Sequence, residues 1–378
     1  MQCGRPAHPR GCGGLRRPLG SSGSLFPNRP GPGTARMAER VSKPALQERT
    51  AQRPGAFTAA HLVTALRSAL AELRRSCDEV NALNVFPVAD HDTGSNLCAT
   101  LASAADAVRE VEGKDLGTVA EAAARGAFFG ARGNSGAILA EYLYGLSQAW
   151  RGLEQADAQR TAAALNRAAR TARAAVHKPV EGTILTVADA AAAAGDRGAV
   201  LLEVLDLAAA AARAAWSRTR RLLPALRRAG VVDAGAAGVV ALLEAMAAAV
   251  RGGPAPALSP PVRGAVAAVS AGPVPLAARY CTEVVVRAHR LPGARARRAL
   301  ERLGDSVLMA ERDGLVRVHV HTETPHRVLL RAARWGEVQE IRAVRLSPDR
   351  AEEPEPVRAP PGTRPPAHPG RCSRPSQG

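Results

Sequence analysis

"NALNVFPVADHDTGSN", residues 81–96, sets the apolar run Val85 to Val88 directly before two Asp, an Asn, a Gly and two small hydroxyls. Upstream, from Phe57, Leu62, Leu66, Leu70 and Leu73 recur at i, i+4, i+8 and i+11, one stripe of an amphipathic helix. Downstream, Leu97, Leu101, Ala105 and Val108 make the next stripe, so "DHDTGSN" reads as a loop running into a helix N-terminus. The same period, broken by Gly and Pro, predicts further helices at about 117–130, 135–149, 157–176, 183–195, 198–224 and 233–251. The expected domain, residues 56–252, is all-helical with about eight helices.

Beyond Gly253 the pattern changes. "GGPAPALSPPVRG" reads as a linker, assigned to 253–265, and "YCTEVVVRAH", "SVLMAER" and "LVRVHVHTE" read as strands. With short helices in "GARARRALERLG" and "HRVLLRAARWG", residues 266–346 form a smaller α+β domain. The expected fold is therefore multidomain, all-α followed by α+β.

The chain has 378 residues, 22% of them charged, with a net charge of +17 and only 3% aromatics. A core of Ala, Leu and Val follows, which favours closely packed helices. The positive excess would suggest nucleic acid, but residues 1–55 hold ten basic and two acidic side chains and residues 347–378 five and four. These Pro-, Gly- and Arg-rich ends lack a periodic apolar pattern and are expected to be disordered, a basic extension and a Pro-rich tail. Met37 is a plausible start. Few aromatics are present for base stacking, so no nucleic acid is expected as partner. No apolar run suits a secretory signal or a membrane span, so a cytoplasmic location and no integral membrane segment are expected. The six Cys, at 3, 12, 77, 98, 281 and 372, have no CxxC spacing and read as thiols.

Asp90 and Asp92 can aim two carboxylates at one hard cation, and Mg²⁺ takes such ligands while keeping substrate phosphates in its other positions. Thr93, Gly94, Ser95 and Asn96 then supply a helix start, where unpaired N–H groups and the macrodipole favour phosphate. A calcium loop starting at Asp90 would need Gly and Glu where Ser95 and Leu101 stand. A second loop, "GARGNSG" at 130–136, brings Gly133, Asn134, Ser135 and Gly136 to another helix start without a P-loop Lys. Both loops could equally be ordinary capped turns.

In "LVRVHVHTE", alternation sends Val316, Val318 and Val320 to one face and Arg317, His319 and His321 to the other. Cys281 and Glu283 share a face of their own strand. Cys and two His suit Zn²⁺, though an exposed polar face with a chance Cys reads the same way.

Together "NALNVFPVADHDTGSN", "GARGNSGAILAEYL", "KPVEGTILTV" (178–187) and "AGVVDAGAAGVVALLEAM" (229–246) resemble the signature blocks of the dihydroxyacetone kinase L-subunit-like (DAK2) domain, in the version found in bacterial fatty acid kinase A proteins. "YCTEVVVRA", "LGDSVLMAERDGLVRVHVHTETP" and "WGEVQEI" resemble that family's second domain, so the likeness covers roughly 57–346. It implies an antiparallel eight-helix barrel binding Mg-ATP at one end. By resemblance, Asp90 and Asp92 are catalytic Mg²⁺ ligands, with Asn84 near a further ligand position. Thr93, Gly94, Ser95, Asn96, Gly133, Asn134, Ser135 and Gly136 contact nucleotide, and Thr183 and Asp233 lie near it. Cys281, His319 and His321 hold Zn²⁺, with a structural or partner-binding role. The implied activity is an ATP-dependent kinase acting on a fatty acid carboxylate, held by a separate DegV-like fatty-acid-binding carrier protein, to give acyl phosphate; the chain would form a homodimer.

The chain departs from the family pattern at Ala89, His91, Ser95 and Leu97, which replace Pro, Gly, Thr and Met. His91 falls between the two metal-binding carboxylates, and the expectation is a ring turned to solvent, since His tolerates positive φ better than most residues. Fuller relatives continue into a carrier-engaging domain where this chain has its Pro-rich tail. Two other functions fit the blocks: a dihydroxyacetone-type kinase component, and a non-catalytic nucleotide- or metal-binding scaffold.

Overall fold

The computed structural model describes residues 55–261 and 280–346. The expectations of a disordered basic extension and a Pro-rich tail, with part of the linker and the start of the second domain, lie outside the described residues. Among the described residues no helix is long and apolar enough to cross a membrane.

The first part is helical. A two-residue strand β1 (Phe57–Thr58) leads into α1 (Ala59–Arg75), and a short α2 (Cys77–Ala82) precedes the acidic loop. Then follow α3 (Thr93–Ala107), α4 (Leu116–Gly130), α5 (Gly133–Trp150), strand β2 (Gln155–Ala156) paired with β1, α6 (Ala158–Ala175), α7 (Ile184–Gly195), α8 (Leu201–Leu222), α9 (Pro224–Ala229) and α10 (Ala236–Arg251). The starts follow the expected capping chemistry. Asp115 accepts from the Thr118 N–H at 2.9 Å and Asp157 from that of Arg160 at 2.8 Å. The helix predicted at 198–224 is α8, and a separate short helix starts at Pro224, a residue suited to a first helical turn.

The predicted leucine stripe of α1 is buried, as are Leu97, Leu101, Ala105 and Val108 of the next. Neighbouring helices touch in the order α1, α3, α4, α5, α6, α7, α8, α10, and α10 returns to α1. In α10 every residue from Ala236 to Val250 is buried, including Glu244, whose carboxylate is paired with Arg213. A helix apolar nearly all round is stable only when enclosed.

The second part is a four-stranded antiparallel sheet, order β4-β5-β3-β6, made of β3 (Tyr280–Ala288), β4 (Asp305–Arg312), β5 (Leu315–Thr322) and β6 (Gly336–Arg345). Helices α11 (Gly293–Glu301) and α12 (Pro325–Ala332) cover one face, where Val284, Val286, Val316, Val318 and Val320 are buried with Leu300 and Val328. The other face carries Cys281, Glu283, Arg317, His319 and His321, and it turns to the helical part: Val285, Leu308 and Ala310 join the helical core.

Two buried arginines fasten this face. Arg312 pairs with Glu141 of α5, lies 4.2 Å from the ring centres of both Phe128 and Tyr144, and is 7% exposed. Arg317 donates to the carbonyls of Phe129 (3.2 Å) and Ala131 (3.3 Å), where the C-terminal end of α4 favours a cation. At the far edge Val176 bridges to Leu308 of β4, and His177 meets Glu301 at 3.0 Å.

Candidate functional site

A cavity of about 500 Å³ lies where the polar sheet face meets the acidic loop, within the ordinary range of a small-molecule site. Asn84, Asp90, Asp92, Thr93, Ser95, Asn96, Gly133, Asn134 and Ser135 line it from the helical part, and Cys281, Glu283, His319, His321 and Arg342 from the sheet.

Asp90 and Asp92 are brought together as the sequence suggested. Asn84, almost fully buried, donates its amide N–H to Asp90 Oδ1 at 2.5 Å and so orients that carboxylate. Burial raises the pKa of both acids. For Asp92 burial comes first and the charge of Asp90 adds to it, lifting the carboxyl to about 7. A divalent cation held between the two carboxylates would relieve both penalties at once, which makes the pair a candidate cation site.

Asp92 stands at the N-cap of α3 with no capping hydrogen bond from its side chain, so the carboxylate is not spent on the helix. Of the first-turn N–H groups, that of Ser95 is taken by Asn81 Oδ1 at 3.2 Å and that of Asn96 by the Asp92 carbonyl at 2.8 Å. The Thr93 amide, at the cavity wall, has no intrahelical partner. Gly94 does not line the cavity. It lets α3 press onto α2, for a Cβ there would sit 2.4 Å from the Cys77 carbonyl oxygen.

The start of α5 differs from expectation. The Gly133 N–H, expected to face nucleotide, donates to Glu283 Oε1 of β3 at 2.9 Å, so the protein's own carboxylate occupies that helix end. Gly133 has φ of 59° and a Cβ there would lie 2.6 Å from Asn96 Nδ2, so only glycine lets the two loops meet. Asn134 and Ser135 remain at the cavity wall, while Gly136 packs on Thr100 instead. Thr183 and Asp233 are not cavity-lining. The Thr183 hydroxyl donates to the Val180 carbonyl in the preceding loop at 2.7 Å, and Asp233 accepts from the Ala236 N–H at the start of α10 at 2.9 Å.

His91 is exposed, with φ of 53°, the left-handed conformation that glycine adopts freely. Its Nδ1 lies 3.2 Å from the Asn81 carbonyl oxygen, which turns the ring along the rim and leaves Asp90 and Asp92 facing the cavity.

Cys281, His319 and His321 offer ligand atoms within 4.8 Å of one another, with Cys281 opposite His321 and Glu283 opposite His319 in the β3–β5 register. His319 Nδ1 stands 3.3 Å from Glu283 Oε1, and the buried His319 Nε2 has no partner among the described residues. Burial, then the charge of His319, holds His321 down to about 3, so it is neutral and ligand-ready. Burial alone would raise Glu283, but the hydrogen bond and charge of His319, with Arg317 and Arg342, outweigh it and hold the carboxyl at about 2. A buried Cys–His–His set with an orphaned ring nitrogen and a carboxylate behind one His fits Zn²⁺. The residues of this cluster line the same cavity as the acidic loop.

Asn81, Glu283 as the link between walls, and Arg342 were not picked out by sequence reading. Asn81 lies in the quoted stretch, so its polarity was a usable signal; the other two act only after the domains meet.

An acidic pair beside one helix start, faced by a sheet whose Cys and two His could hold a metal ion, makes this cavity the candidate site of a helical-plus-sheet protein. Residues 87–248 match the DAK2 domain, and residues 277–352 the middle domain of FakA-like fatty acid kinases. The chain is 36% identical over 287 residues to Protein YloV of Bacillus subtilis, covering 71% of this chain and 52% of that protein. Uncharacterized proteins of Staphylococcus saprophyticus and Staphylococcus epidermidis are 32% and 33% identical over 290 residues, with the same coverage. The chain thus carries a DAK2 domain followed by a FakA-like middle domain. It spans about half the length of the curated relatives it matches.

Proposed function

We propose that the chain is an ATP-dependent phosphotransferase that moves the terminal phosphoryl group of ATP onto the carboxylate of a fatty acid presented by a separate lipid-binding carrier protein. The observation that carries this reading is the adjacent, part-buried Asp90–Asp92 carboxyl pair at the start of α3, inside a cavity of ligand size. We take the ring of helix contacts over 56–252 as the family's eight-helix barrel and the sheet as its middle domain.

Asp90 and Asp92 would hold Mg²⁺, which supplies charge neutralisation at the phosphates. Asn84 fixes the angle of Asp90. The Thr93 amide, with Ser95, Asn96, Asn134 and Ser135, orients the phosphate chain, and the cavity excludes bulk water. A fatty acid carboxylate is ionised at neutral pH, so no base is needed. Its oxygen bonds to the terminal phosphorus as the bond to the bridging oxygen of ADP breaks, which gives acyl phosphate and ADP. Cys281, His319 and His321 would hold Zn²⁺ on the facing wall. The middle domain favours this acceptor over dihydroxyacetone.

The test incubates the chain with ATP, Mg²⁺, oleate and a DegV-like carrier, and traps acyl phosphate with hydroxylamine. Hydroxamate that requires both ATP and carrier is expected. Phosphorylation of dihydroxyacetone without carrier, and no hydroxamate, would contradict the reading.

A further inference from the structure

We infer that Arg342 is the cation that engages the terminal phosphate of the bound nucleotide from the sheet wall of the cavity. The inference rests on the phosphotransferase reading and adds a residue to it. Arg342 lies on β6, opposite Glu283 in the β3–β6 register, on the half-buried side of the strand that it shares with Glu340 and Val344. Its guanidinium lines the cavity and, among the described residues, forms no ion pair and no hydrogen bond. The neighbouring guanidiniums are committed: Arg317 of β5 to the end of α4 and to Glu340 at 3.8 Å, and Arg132 at the start of α5 to Glu340 at 3.4 Å. Arg345 also lines the cavity but sits on the exposed side of the strand.

A triphosphate carries more negative charge than one divalent cation cancels, so a further cation is needed where the phosphates end. The acidic pair and the α3 start hold the metal-bridged phosphates against the helical wall. A guanidinium on the facing wall then meets the phosphate that projects across the cavity. Arg342 is close enough to that pair for its charge to act on Asp92, and its planar fork suits the oxygens of a phosphoryl group in transit. The charges of Glu283 and Asp92 act on it, without a hydrogen bond among the described residues, so an anionic phosphate would give its guanidinium a direct, charge-assisted partner.

Mg-ATP and Mg-ADP affinities of the full chain, of Arg342→Ala and of Arg342→Lys are measured by calorimetry. Arg342→Ala is expected to bind Mg-ATP roughly 10- to 100-fold more weakly, with Mg-ADP changed less than about 3-fold and Lys in between. The retained Mg-ADP affinity also shows that the variant is folded. Equal weakening of both nucleotides, or no change in either, overturns the assignment of Arg342 while leaving the phosphotransferase reading standing. A natural chain that binds neither nucleotide overturns both.

Discussion

Asp92→Asn raises the melting temperature of the metal-free protein at pH 8 and abolishes its Mg²⁺-dependent nucleotide binding. In the metal-free fold, burial and the neighbouring Asp90 lift Asp92 to about 7, well above its value in the unfolded chain. Between about pH 4 and 7 the native state therefore holds more protons than the unfolded state, so stability falls as pH rises through that window and the penalty is complete above it. Asn removes the penalty without changing the shape of the side chain. The gain is expected to be on the order of 1–2 kcal/mol at pH 8, a few degrees for a protein of this size, and absent near pH 4. Loss of one of two metal-facing carboxylates is expected to weaken Mg-ATP binding by at least about 100-fold. Scanning calorimetry at pH 5 and 8, with and without Mg-ATP, reads both effects. A variant that melts lower without metal, or keeps its Mg-ATP shift, would mean the pair is structural.

The second large effect concerns the join between helices and sheet. Arg312→Ala is expected to destabilise the protein by about 3–5 kcal/mol, because it strands Glu141 in a dry place and empties the space between Phe128 and Tyr144. Burial pushes Glu141 up and Arg312 down despite their attraction, so desolvation outweighs pairing on both sides. It follows that Arg312→Met combined with Glu141→Leu should recover most of the loss. Urea titration of the two variants checks this. A double variant no more stable than Arg312→Ala would show that the pair itself, and not the cost of breaking it, holds the join.

Much of the helical part was legible because its signal is local. The stripe Leu62, Leu66, Leu70, Leu73 is buried as its period implies, and Asp90 and Asp92 meet because a two-residue spacing in one loop leaves them little choice. Pro224 marked the end of the helix predicted at 198–224, but the six-residue α9 that it opens is too short to show a period of its own. Alternation in "LVRVHVHTE" sorted the two faces of β5 correctly. It could not show that both are covered, His319 being 0% and His321 6% exposed, because the polar face meets helices whose contacts with β5 span 186 and 188 residues of sequence. For the same reason β6 was read only as a family block: polar residues stand on both of its sides, Glu337 and Gln339 on the exposed one and Glu340 and Arg342 on the half-buried one, and only the contact with the helices decides which is covered. Glu283 shows the limit most clearly. Its bond to the Gly133 N–H joins residues 150 apart, and no spacing rule reaches that far.

The central claim is that one nucleotide site has two walls, the acidic loop with the α3 start and the polar face of the sheet. Hydrogen–deuterium exchange with and without Mg-ATP tests it most directly. Slowed exchange is expected together in residues 84–96, 131–135 and the cavity ends of β3, β5 and β6. Protection confined to another surface, or none at saturating Mg-ATP, would contradict it.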